Sequence, residues 1–151
     1  RVRKNGKAGL IDARGKIRIP LIYKSASEYI DTTFFTAYDE DKKRYIYNRN
    51  GDIVFSGSTL PVGRDKMEPP NHPIYFTHEY DELPGHRYLF YYPDYCLIVD
   101  HLGRTLKRID NIDVKLEHGR YPDERLIELK ENGQVYLIDP VSLVSFREET
   151  N

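Results

Sequence analysis

Asn5 to Pro20 reads NGKAGLIDARGKIRIP, a turn, a strand, a second turn and a second strand, and weaker copies recur downstream. This recurrence constrains the fold more than any other feature, because short β units cannot bury their apolar faces alone and must stack on neighbours. Asn5-Gly6 accepts the positive φ angles of a two-residue hairpin turn, since glycine has no Cβ and asparagine tolerates the left-handed region. Lys7 to Ile11 reads as a strand. Asp12-Ala13-Arg14-Gly15 reads as a turn whose carboxylate accepts from backbone N–H groups ahead of it. Lys16, Ile17, Arg18 and Ile19 alternate polar with apolar, which places both isoleucines on one buried face.

Alignment on the Asp/Asn-x-x-Gly turn gives Asp12–Gly15, Asn48–Gly51 and Asp100–Gly103, with Asp139-Pro140-Val141-Ser142 as a degenerate fourth copy. AGLID, YIYN, LIVD and YLID precede these turns, and KIRI, DIVF, RTLKRI and LVSF follow them. A further strand candidate precedes the later copies at Phe34 to Tyr38, Arg87 to Tyr92 and Arg125 to Lys130, and Arg1 to Lys4 stands in that place for the first. The expected fold is therefore all-β: about four antiparallel three-stranded meander repeats forming an open solenoid or partial propeller-like array, with a β-sandwich as the alternative. Short helical turns are expected only in connectors such as Tyr23 to Ile30 and Ile112 to His118. The 151 residues suit a single β-repeat domain spanning 1–151, read as a piece of a longer protein. An insertion at about 57–77 carries Pro61, Pro69, Pro70 and Pro73, too many prolines for a central strand. It is expected either to carry binding specificity or to cover apolar surface with Met67, Ile74, Tyr75 and Phe76.

Gly6, Lys7, Gly9, Ile11, Asp12, Gly15, Lys16, Ile19, Pro20 and Tyr23 together resemble the WG-repeat family, also called KWG repeats, whose unit reads approximately G-K-W-G-x-I-D/N-x-x-G-K-x-V-I-P followed by tyrosine. Ala8 stands where that family has its tryptophan, and later copies carry Arg44, Cys96 and Val135 there. Their glycine position holds Tyr45, Leu97 and Tyr136 instead. A Tyr-Asp-x-Leu connector is visible at Tyr80 to Leu83. The resemblance implies a largely bacterial binding or scaffolding repeat and brings no catalytic residues.

The formal net charge of -1 gives no general attraction to nucleic acid, and no ribonucleoprotein-type motif is present, so no nucleic-acid partner is expected. The first unit is locally basic, with Arg1, Arg3, Lys4, Lys7, Arg14, Lys16 and Arg18 against Asp12; this is read as a solvated face or a contact for an anionic partner. Cys96 lies in the apolar run CLIV and is read as buried; one cysteine forms no internal disulfide and leaves the compartment open. No apolar run approaches the roughly 20 residues of a membrane-spanning helix.

Candidate chemistry is sparse. His72, His78 and His86 with Glu79, Asp81 and Glu82 are types that ligate zinc, but the spacing matches no metal signature, so a polar loop is expected, with no metal and no cofactor. No G-x-S-x-G elbow and no phosphate-binding glycine loop occurs. Tyr88, Phe90 and Tyr92, with Tyr95 after the turn, are expected to pack between units or to stack on a ligand. The functional expectation is a non-catalytic module binding a protein or peptide. A carbohydrate or cell-envelope ligand held by exposed tyrosines, or a hydrolase using the His-rich loop, is the alternative.

Overall fold

The structure is a computed structural model that describes residues 1–30, 33–63, 79–110, 114–117 and 126–147. It is nearly all β, with no α-helix among the described residues. The described residues form four antiparallel sheets that follow one another along the chain. The first contains β1 (Val2–Lys4), β2 (Lys7–Ile11) and β3 (Ile17–Tyr23); the second contains β4 (Ser25–Ile30), β5 (Phe34–Tyr38), β6 (Arg44–Tyr47) and β7 (Ile53–Ser56). The third contains β8 (Tyr80–Leu83), β9 (Arg87–Tyr91), β10 (Cys96–Val99) and β11 (Thr105–Ile109). The fourth contains β12 (Val114–Glu117), β13 (Leu126–Glu131), β14 (Gln134–Ile138) and β15 (Ser145–Arg147). Strand order within every sheet is chain order, so each is an open meander.

Three sheets thus have a fourth strand where three were expected, and the extra ones are β4, β8 and β12. Segments expected to be connectors, Tyr23 to Ile30 and Ile112 to His118, hold β4 and β12, whereas Tyr80 to Leu83 is β8. Each is an edge strand. Ser25, Ala26, Ser27 and Glu28 show why such a strand escapes pattern reading: only Ala26 is buried, and small or polar residues give weak alternation.

The turns follow from side-chain chemistry. Asn5 and Gly6 have φ of 51° and 77° between the paired Lys4 and Lys7, and Asn132-Gly133 repeats the arrangement between Glu131 and Gln134. In the Asp12 turn, Oδ1 accepts from the N–H groups of Arg14 and Lys16, each at 2.9 Å, and the Gly15 N–H donates to the Asp12 carbonyl at 3.0 Å. Asn48 Oδ1 does the same for Asn50 and Asp52. Asp39 forms a further copy between β5 and β6, accepting from Asp41 and Lys43, with Lys42 at φ 62° in place of glycine. Without its glycine this turn carries no sequence signature. At Asp139 the positive φ falls on Leu143, and the Asp139 N–H reaches Val144, so that turn is one residue longer than its degenerate motif suggests.

A strand irregularity accompanies the tighter turns. The register shifts between Leu10 and Ile11, between Ile46 and Tyr47, and between Ile98 and Val99, leaving Arg18, Val54 and Leu106 as the extra residues opposite. The bulge overturns one sequence expectation: Ile19 is fully buried but Ile17 is 56% exposed, because Arg18 breaks the alternation between them.

The chain divides into two compact units, residues 1–60 with 101–104, and residues 61–100 with 105–151. In the first, Leu10, Ile19 and Tyr23 of one sheet meet Ala26, Phe35, Ala37 and Tyr47 of the next. In the second, Leu89, Cys96, Ile98 and Ile109 meet Ile127 and Ile138. Two sheets complete each core, as expected of units too thin to fold singly. Cys96 is fully buried.

Candidate functional site

The first unit carries a cleft of about 220 Å³ where its two sheets meet. Leu10, Ile11 and Phe35 give it an apolar floor, and Arg1, Asp12, Arg18, Glu28 and Arg49 supply its charge. The elements explain the convergence. The Asp12 turn aims one carboxylate oxygen at its own backbone and leaves Oδ2 to the Arg18 guanidinium at 3.0 Å. Arg18 is the bulge residue of β3, and its Nη1 also donates to the Arg49 carbonyl in the second turn at 2.6 Å. Arg18 is therefore held from two sides.

Asp12 is held in its ionised form more firmly than a free carboxyl. The Lys16 N–H, the Arg14 N–H and the Arg18 charge lower its carboxyl below the usual range, against partial desolvation. The guanidinium groups of Arg1 and Arg49 make no hydrogen bond or ion pair among the described residues. Among the described residues no hydroxyl, thiol, imidazole or amine side chain lines the cleft, so the chemistry of this lining is that of holding a charged and partly apolar group.

Tyrosines pack beneath the same core. The hydroxyls of Tyr23 and Tyr47 hydrogen-bond, their rings meet edge to face at 6.0 Å, and Tyr45 donates to Asp39 Oδ2 at 3.1 Å. Burial, together with the Tyr23 hydrogen bond, pushes the Tyr47 phenol up. Sequence reading passed over this group, although Tyr45 and Tyr47 flank Ile46 at strand spacing.

The tyrosines singled out from sequence lie in the third sheet. Tyr88 and Phe90 are buried, as are Leu89 and Tyr91, because β9 is a central strand covered on both faces, and Tyr92, just past its end, is buried as well. Tyr92 and Tyr95 stack at 4.5 Å with an interplanar angle of 6°, and the Arg108 guanidinium lies 3.8 Å from the Tyr95 ring centroid. Arg108 is fixed in turn by Asp110 at 2.6 Å. Tyr95 thus has Tyr92 and Arg108 as ring partners, and the set forms a packed stack instead of an open platform.

His86 is exposed in the turn between β8 and β9, with φ 56°. His72 and His78, and the insertion beyond Gly63, lie outside the described residues. Among the described residues no group of three or more His, Cys, Asp or Glu side chains is placed to hold a metal ion, and no helix is long and apolar enough to cross a membrane. A scan against protein-family models and searches of curated proteins and solved structures each returned no match.

Proposed function

We propose that this chain is a non-catalytic interaction module that recognises a protein or peptide, built as an array of β repeats of the kind the WG-repeat resemblance implies. The observation that carries this reading is the cleft of the first unit. At about 220 Å³ it is smaller than the roughly 300–1,000 Å³ typical of small-molecule sites, so it suits one side chain of a larger partner. Among the described residues its lining offers guanidinium donors and an apolar floor and holds no nucleophile. The bulge shared by three hairpins supports the repeat reading. Burial of Tyr88 and Phe90 in β9, and of Tyr92 just past its end, leaves the carbohydrate alternative no exposed ring among these three.

The test is to pan the immobilised chain against phage-displayed random dodecapeptides while the soluble chain is run through a broad hydrolase substrate screen. Enrichment of a peptide consensus with no turnover is expected. Turnover that disappears on a single substitution in the chain ends the binding-only reading.

A further inference from the structure

The charges of the cleft specify what kind of side chain it takes. Among the described residues its three guanidinium groups, on Arg1, Arg18 and Arg49, face two carboxylates, on Asp12 and Glu28. Asp12 is already committed: Oδ1 accepts two backbone N–H groups and Oδ2 the Arg18 guanidinium. Arg18 has five N–H donors, and two contacts hold it in place, one through Nη2 to Asp12 and one through Nη1 to the Arg49 carbonyl. Donors therefore remain on a side chain that has already lost its rotamer freedom, and a ligand meeting it incurs little ordering cost. Arg49 differs. Its carbonyl is used while its guanidinium is unpaired among the described residues, so it is free to close over a bound anion.

We propose that this cleft binds one carboxylate side chain of an acidic peptide segment, with Arg18 as the fixed anchor, Arg49 as the closing arm, and Leu10 and Phe35 beneath the ligand's methylene groups. The inference rests on the interaction-module reading and adds its ligand class. One guanidinium in excess matches the single charge of a carboxylate, and the planar fork of arginine matches its two oxygens. A phosphate, carrying close to two charges, would find less than full compensation in this lining.

The experiment uses the dodecapeptides recovered by panning, resynthesised with a fluorophore and titrated into the chain by fluorescence anisotropy. The expected consensus holds one Glu or Asp beside an apolar residue. Replacing that acid by its amide should weaken binding about tenfold or more, the scale of one charge-assisted pair. Arg49→Leu should give a similar loss, Arg49→Lys should restore part of it, and added salt should weaken only the acidic form. Arg49 is the chosen site because its guanidinium is unpaired and exposed, so the fold survives the change; unchanged thermal melting verifies this. Arg18→Lys is the second variant and should weaken the acidic peptide while leaving its amide form unaffected.

Peptides that bind with no acidic position, or that bind Arg49→Leu and Arg18→Lys as well as the original chain, overturn the carboxylate assignment and leave the module reading standing. Tighter binding of a phosphoserine analogue than of the glutamate form also overturns it. If no peptide is enriched at all, both readings fall.

Discussion

Asn48 shows how one amide can serve two purposes. Its Oδ1 closes its own turn as Asp12 does, and its Nδ2 donates to the Leu102 carbonyl at 3.0 Å, which a carboxylate cannot do. With Asn48 only 4% exposed, Asn48→Asp would place a charged oxygen against that carbonyl, and about 1–3 kcal/mol of stability should be lost near neutral pH in urea unfolding. The deficit should shrink in acid, where a protonated aspartate regains a donor; an equal deficit at both pH values would contradict the assigned contact. The aspartate turns carry the opposite pH dependence. Hydrogen bonds from the Val141 and Ser142 N–H groups lower the Asp139 carboxyl. Its folded value lies below an unfolded value of about 3.9, so its contribution is complete above that pH and is lost as pH falls through the folded value. Asp139→Asn, which keeps the acceptor, should therefore leave the neutral-pH fold in place and reduce the acid sensitivity of unfolding below about pH 4, the unfolded carboxyl value.

At the scale of elements, Gly9 and Pro20 belong together. The β2–β3 register jumps from Ala8 opposite Tyr23 to Leu10 opposite Ile19, so β3 carries extra chain around Pro20. A Cβ on Gly9 would lie 2.5 Å from the Ile19 carbonyl oxygen and 2.8 Å from that of Pro20. Tyr45, Leu97 and Tyr136 occupy the corresponding position where the ladder is regular, opposite Ser56, Arg108 and Arg147. Gly9→Ala should thus cost about 1–3 kcal/mol, an overpacking penalty against backbone that cannot rotate away, read as a lower urea midpoint. An unchanged midpoint would mean that β3 moves freely there. The same comparison marks what the sequence made legible. Turn residues and the central strands β2, β6, β10 and β14 announce themselves, because Asx turns and apolar runs are local. The edge strands β4, β8 and β12 do not, since partners define them more than their own residues. The cleft was hidden for a related reason: Arg18, Glu28, Phe35 and Arg49 stand on different elements, and a bulge that no motif records brings Arg18 to Asp12. Only the basic cast of the first unit pointed there.

For the molecule as a whole, chain connectivity matters as much as the two cores. Residues 101–104 belong with the first unit, whereas the strands they join, β10 and β11, belong to the second. Within the first unit the turn is held by the Asn48 hydrogen bond to Leu102 and by close packing at Gly103, where a Cβ would come within 2.8 Å of the Val54 Cβ. Gly103 also has φ 81°, a conformation strained for any residue with a side chain. Gly103→Ala therefore combines backbone strain with overlap and should cost about 1–3 kcal/mol. Its effect should differ in reach from that of a core truncation. Ile19→Ala removes volume from the first core alone and should cost about 2–5 kcal/mol there. Hydrogen exchange read by mass spectrometry distinguishes the two. Gly103→Ala should raise exchange both in β6 and β7 and in β10 and β11, because the altered turn packs in one unit and terminates a hairpin of the other. Ile19→Ala should raise it mainly in β2, β3 and β5. If Gly103→Ala leaves β10 and β11 as protected as before, the hairpin does not depend on the conformation of its turn.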